Sequence, residues 1–209
     1  DMIQQGVKVM LIDPVDSNAI KSAVEACDAA EIPVIAYNSP LNFEIASTVA
    51  TDNYLAGQLV GEAMGKALDG KGEVAMLTYN VAEVCLDRAN GFKDAIAEYP
   101  DIKIVEEQEI QPGTDTALPV AENILQAYPD LAGMFALNDP SALGGGAAVE
   151  RANLLDQVQI VGVDGSDDAK AAIEEAASPA TKYKDALADV DETISGIDRS
   201  VAKFKSELS

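Results

Sequence analysis

The sequence predicts a doubly wound α/β protein built on parallel sheets. Its apolar residues come in short, near-continuous runs, as expected of strands that are buried on both faces of a sheet. Segments with apolar residues at helical spacing separate these runs, and such alternation is typical of parallel strands joined by right-handed crossovers. The chain has 209 residues, 48% of them hydrophobic, which is enough for a substantial core.

The elements follow from apolar spacing and from capping residues. In the first part of the chain we predict a strand over 7–12, a helix capped by Asp16 or Ser17, strands over 32–37 and 46–51, and a helix that begins at Asp52 or Asn53. In the second part we predict strands over 73–78, 103–107, 133–137 and 158–163, alternating with helices over 83–99, 116–128, 140–152 and 167–177. One near-complete Rossmann-like lobe and part of another are therefore expected.

The last thirty or so residues break this alternation. Apolar residues recur there at spacings of three and four, and no strand follows; they are Leu187, Val190, Ile194, Ile197, Val201, Phe204 and Leu208. This heptad seam predicts a long amphipathic helix. The helix either lies on the body of the protein or joins two copies of the chain into a homo-oligomer.

Composition excludes several classes of function. The net charge of -22 and the pI of about 4.1 oppose binding to nucleic acids or to anionic membranes. The chain has no histidine, the usual general base and commonest metal ligand, and no nucleophile or cofactor loop is indicated. We therefore predict neither an enzyme nor a cofactor or metal site. Cys27 and Cys85 are interpreted as small buried hydrophobic residues.

Polar side chains follow the predicted strands, where ligands bind in open α/β sheets. They occur at Tyr37-Asn38-Ser39, Tyr79-Asn80, Asn138-Asp139 and Asp164. Amides and carboxylates suit vicinal hydroxyls, and the ring of Tyr37 could pack on a sugar, so this set favours a neutral polyol as ligand. The alternative is that Asn138, Asp139 and Asp164 only cap helices.

Arg88 is a further candidate because it lies in the otherwise acidic and apolar stretch 83–94. Its guanidinium could donate several hydrogen bonds to ligand hydroxyls. The structural alternative is an ion pair on the helix surface with Asp87 or Glu83.

Several of these segments together resemble the periplasmic sugar-binding proteins of the ribose-binding type, which have the type I periplasmic-binding fold. The segments are 5–7, 13–17, 32–35, 50–53, 88–92, 135–139 and 161–165. The resemblance covers residues 1 to about 177. It implies two lobes that close on one sugar, a hinge near Thr51-Asp52, and delivery to an ABC-type membrane permease. The resemblance also implies a periplasmic or extracellular, surface-associated location.

The resemblance implies ligand contacts at Asn38 and Ser39 in the first lobe and at Arg88, Asn138 and Asp164 in the second. It divides the chain into a partial first lobe (1–51), a second lobe (52–177) and the C-terminal helix (178–209). Family members begin with a further strand, helix, strand and most of another helix, so the N-terminal part of the first lobe is expected to be missing. An alternative hypothesis is a reused binding module that acts in ligand sensing or self-association through its heptad helix.

Overall fold

The computed structural model describes residues 2–14, 16 and 18–176. The chain divides into two units, Asp1–Val163 and Asp164–Ser209. The predicted heptad helix over 178–209 lies outside the described residues. The predicted domain boundaries near 51 and 177 therefore stay predictions.

Three short strands near the start of the chain form a parallel sheet in the order β1-β2-β3. They are β1 (Met10–Ile12), β2 (Val34–Tyr37) and β3 (Ser47–Val49), and α1 (Lys21–Ala29) connects the first two. Ile12 pairs with Ala36, and Ala36 pairs with Thr48, so all three strands end at the same edge. The buried core of this region consists of Val24, Cys27, Ile32 and Val34.

A four-stranded parallel sheet forms the larger part of the first unit, in the order β5-β4-β6-β7. The strands are β4 (Lys71–Thr78), β5 (Asp101–Glu109), β6 (Leu131–Ala136) and β7 (Gln159–Val161). The helices α2 (Asn53–Ala67), α3 (Glu83–Ala97), α4 (Thr114–Ala127) and α5 (Asp139–Arg151) lie between strands along the chain, and α6 (Asp167–Ala176) belongs to the second unit. The predicted α/β architecture is confirmed.

Alternate residues of β4 belong to two different hydrophobic clusters, as expected for a central strand covered on both faces. Val74 and Met76 pack with Phe92 and Phe135 in one cluster. Ala75 and Leu77 pack in the other, which includes residues of α4 and α5. The sheet therefore holds the carboxyl ends of its strands between two layers of helices.

Some element boundaries differ from the sequence prediction. β1 begins at Met10 and not at Val7, and the exposed fractions of Val9 and Leu11 are 45% and 63%. Asp16 accepts hydrogen bonds from the backbone N–H groups of Asn18 and Ala19, but α1 begins only at Lys21. Asp16 thus caps a preceding turn, because the helix starts after it.

Helices α2 and α3 pack closely through glycines spaced by four residues on α2. A Cβ atom at Gly57 would overlap the backbone carbonyl of Arg88, and one at Gly61 would lie 2.9 Å from the carbonyl oxygen of Phe92. At Gly65, a Cβ atom would overlap the ring of Tyr99. Close backbone approach of this kind requires glycine. It fixes the position of α3, and hence of Arg88, relative to the start of α2.

The run Gly144-Gly145-Gly146 does not follow a strand directly, as a dinucleotide-binding loop would, so the sequence predicts a helix-packing surface there. A Cβ atom at Gly144 would lie 2.6 Å from the carbonyl oxygen of Thr114 in α4, and one at Gly145 would lie 3.1 Å from the sulfur of Met134. The packing role is confirmed for these two glycines.

Candidate functional site

Arg88 lies on α3 and reaches the carboxyl end of β6. Its Nε donates to Oδ1 of Asn53 at 2.8 Å, and its Nη1 donates to the backbone carbonyl of Leu137 at 2.9 Å. The side chain is half-buried. Arg88 therefore lies beside the strand end where Asn138 begins, and such strand ends are where ligands bind in open α/β sheets.

Asn53 supports Arg88 from the start of α2. Its side chain is buried, and its Nδ2 donates to the carbonyl of Thr51 at 3.0 Å. The sequence left open whether Asp52 or Asn53 caps this helix. Asp52 is the cap, since its Oδ1 accepts from the backbone N–H of Leu55 at 2.9 Å. The amide of Asn53 is thereby available to hold the guanidinium.

Asn138 directly follows the last buried residue after β6 and caps α5. Its Oδ1 accepts from the backbone N–H of Ser141 at 3.1 Å. The capping role that was weighed as the alternative is thus present. It uses only the side-chain oxygen, and a cap leaves the two N–H donors of the amide for other partners. Capping and ligand contact are therefore compatible at this position.

The first sheet brings together Asn38 and Asp13. The Nδ2 atom of Asn38 lies 3.2 Å from each carboxylate oxygen of Asp13. Asn38 has a φ of 63°, in the left-handed region that Asn tolerates better than most residues. Beside it, Ser39 is buried, its N–H donates to the carbonyl of Tyr37 at 2.7 Å, and the Tyr37 side chain is exposed. This group lies at the carboxyl edge of the sheet.

Asp13 was not selected from the sequence. It follows β1, as the other candidates follow their strands, but the Asp13-Pro14 pair also has the residue pattern of a turn. Applying the strand-end rule to every strand would have found it.

Asp164 is the first residue of the second unit. It is exposed, with a φ of 119° that is unusual for a residue other than glycine, and Gly165 after it has a φ of 74°. Backbone strain of this kind costs on the order of 1–3 kcal/mol and clusters at ligand-binding sites. The six predicted residues thus fall into three groups: Tyr37 to Ser39, Arg88 with Asn138, and Asp164.

One titratable group near Arg88 is perturbed. Partial burial raises the pKa of the Asp87 carboxyl above 3.8, and the negative charge of Asp52 raises this pKa further. Asp52, at the start of α2, thus repels a charged Asp87 on α3. This repulsion favours proton uptake by Asp87 in the folded protein.

The described residues contain neither a candidate metal site nor a helix that could span a membrane. Within the described ranges, no three His, Cys, Asp or Glu side chains lie together in a way that could hold a metal ion. Among the described helices, every one is too short or too polar to span a lipid bilayer. Cys27 and Cys85 are both buried, as predicted.

Parallel sheets with polar groups at the carboxyl ends of their strands define a ligand-binding α/β protein. The chain belongs to the periplasmic binding protein domain family, which it matches over residues 1–194. The resemblance seen in the sequence is therefore confirmed.

Two curated relatives are sugar import proteins. The chain is 36% identical to the D-apiose import binding protein of Paraburkholderia graminis over 174 residues, which is 82% of this chain and 55% of the relative. It is 33% identical to the ribose import binding protein RbsB of Escherichia coli over 184 residues, which is 87% of this chain and 61% of the relative. The chain thus spans less than two thirds of these relatives.

A solved structure has the same fold. It is an ABC transporter periplasmic solute binding protein from Actinobacillus succinogenes with bound D-allose, with a TM-score of 0.78 and 32% identity over 95% of this chain and 75% of that chain. An arabinose-binding component from Shewanella, bound to L-arabinofuranose, has a TM-score of 0.76 and 30% identity, over 80% of this chain and 58% of that chain. These relatives are transport binding proteins and not enzymes.

Proposed function

We propose that this chain binds a neutral monosaccharide or polyol as the solute-binding component of an ABC-type sugar importer. The observation that carries the proposal is the placement of Arg88, held by Asn53 and by the Leu137 carbonyl at the strand end where Asn138 begins. The relatives named for apiose and ribose import support the same ligand class. Binding is non-enzymatic in this proposal.

The sugar contacts comprise residues from the three groups of the site. Asn38, Ser39 and Tyr37 act from the first lobe (1–51), and Arg88, Asn138 and Asp164 from the second (52–177). The sugar closes the lobes about a hinge near Thr51-Asp52, because it contacts both lobes only in the closed state. Delivery then requires an ABC-type membrane permease, which is consistent with a periplasmic or cell-surface location.

Isothermal titration tests this proposal with D-ribose, D-apiose, D-allose, L-arabinose and xylitol. We expect saturable heat with at least one of them. Replacing Arg88 with Met keeps the apolar stem and removes the donors, so this substitution should abolish the heat, whereas Arg151→Met should not. Arg151 is the matched control because it lies at the end of α5 and forms an exposed ion pair with Glu122 of α4. Absence of heat with every sugar would contradict the proposal.

The heptad segment carries a second proposal, that two copies of the chain associate through it. Its support is the sequence pattern of Leu187, Val190, Ile194, Ile197, Val201 and Phe204. Sedimentation equilibrium of a variant with Leu187, Ile194 and Val201 changed to Ser tests it. We expect the mass to fall to that of a monomer, and an unchanged mass would exclude the seam as an interface.

A further inference from the structure

Both the oxygen and the nitrogen of the buried Asn53 side-chain amide form hydrogen bonds. Its side chain is 4% exposed. Its oxygen accepts from Nε of Arg88 at 2.8 Å, and its nitrogen donates to the carbonyl of Thr51 at 3.0 Å. Thr51 lies in the connection between β3 of the first sheet and α2, which leads into the second sheet. A helix cap does not explain this amide, because Asp52 is the cap.

We propose that Asn53 is a positioning residue that fixes the guanidinium of Arg88 for sugar binding and ties it to the backbone between the two sheets. This inference rests on the proposed function, in which Arg88 contacts the sugar. Asn53 does not touch the sugar. It acts through Arg88, and its bond to Thr51 fixes the orientation of its own amide.

The geometry of the guanidinium supports this role. Arg has five N–H donors in a fixed plane, and bonds at two of its nitrogens determine how that plane is oriented. Asn53 holds Nε, and the Leu137 carbonyl holds Nη1. Without the bond at Nε, the long side chain regains rotational freedom that a sugar must then remove on binding. We expect sugar affinity to fall about tenfold when the bond is lost.

Three variants separate positioning from general stability. Asn53→Leu keeps the branching at Cγ and removes both side-chain hydrogen bonds. Asn53→Asp keeps an acceptor for Nε but loses the donor to Thr51. Gln157→Leu is the matched control, because the amide of Gln157 donates to the carbonyls of Pro129 and Leu131 at the opposite end of β6, at 2.9 and 3.1 Å.

The first readout is the NMR signal of the Arg88 Nε–H group in the sugar-free protein. The chain contains only three arginines, Arg88, Arg151 and Arg199, so Arg88→Met assigns the signal directly. We expect slow hydrogen exchange of this group in the wild type, Asn53→Asp and Gln157→Leu, and fast exchange in Asn53→Leu. If Asn53→Leu does not fold, Asn53→Ala replaces it. The inference is overturned if removal of the amide leaves the exchange unchanged, or if Gln157→Leu accelerates it equally.

The second readout is sugar affinity, measured with the same five sugars. We expect Asn53→Leu to bind about tenfold more weakly than the wild type, Asn53→Asp to recover most of that loss, and Gln157→Leu to bind normally. Equal weakening in Asn53→Leu and Asn53→Asp would overturn the inference. If the wild type binds none of the sugars, the proposed function fails, and the Nε–H exchange alone decides whether Asn53 positions Arg88.

Discussion

Replacing Gly57 with Ala tests whether the close packing of α2 and α3 is as tight as the structure indicates. The added Cβ atom would overlap the carbonyl oxygen of Arg88 and lie 2.9 Å from its Cα atom. The obstacle is backbone and not the end of a flexible side chain. The two helices must therefore move apart to accommodate a single methyl group.

The magnitude follows from two opposing contributions. Ala is favoured over Gly inside a helix by about 0.8–1.0 kcal/mol. Overpacking typically destabilises by about 1–3 kcal/mol, and a backbone obstacle places Gly57→Ala at the upper end. We expect a net loss of about 1–2 kcal/mol in the free energy of unfolding. Because Arg88 is part of the obstacle, sugar affinity should fall as well.

Gly146 offers a matched control on α5. A Cβ atom added there meets nothing within 4 Å, so Gly146→Ala should stabilise the protein by about 0.5–1 kcal/mol through helix propensity alone. Urea unfolding of both variants measures the difference, which we expect to be about 1.5–3 kcal/mol. If Gly57→Ala is as stable as Gly146→Ala, the reasoning about close approach is refuted.

Two further predictions concern the site and its surroundings. Asn138→Ala should lower the free energy of unfolding by about 1 kcal/mol, because the helix cap is removed, and should also weaken sugar binding. Asn138→Asp keeps an acceptor for the cap and loses only the amide donors. Thermal unfolding measures the capping role of Asn138, and titration calorimetry measures its role in sugar binding. Undiminished binding by Asn138→Asp would exclude the amide as a ligand contact. Asp87 has a raised pKa in the folded state, so wild-type stability should decrease as pH rises through the interval above 3.8. Asp87→Asn should remove this decrease and be more stable than the wild type at pH 7. Chemical denaturation at several pH values measures this, and the same dependence of stability on pH in both proteins would contradict the prediction.

The alternation of strands and helices was predictable because buried strands have distinctive apolar runs. The second sheet shows this clearly, since residues 74–78 of β4 are all buried. β1 was predicted to begin too early, at Val7, because residues 7–12 form one mostly apolar run; that run also gave no sign that Val9 and Leu11 are exposed. Burial depends on contacts distant in sequence.

The site was predictable where a residue follows a strand or stands out by charge. Arg88 and Asn138 were selected in this way, and the structure places them at the end of β6. Asn53 could not be selected, because its role depends on a guanidinium 35 residues away. The four-residue spacing of Gly57, Gly61 and Gly65 did carry a signal for close helix packing.

Strand β5 has a consequence for how the protein behaves in acid. It is one of the two outer strands of the four-stranded sheet in the described part of the chain, and it carries Glu106, Glu107 and Glu109. Charged side chains on an edge strand discourage pairing with the edge of another molecule. Near the pI of about 4.1, the net charge of the protein approaches zero and the repulsion between molecules weakens. The acidic edge strand thus opposes sheet-to-sheet pairing between molecules while the protein carries its large net negative charge.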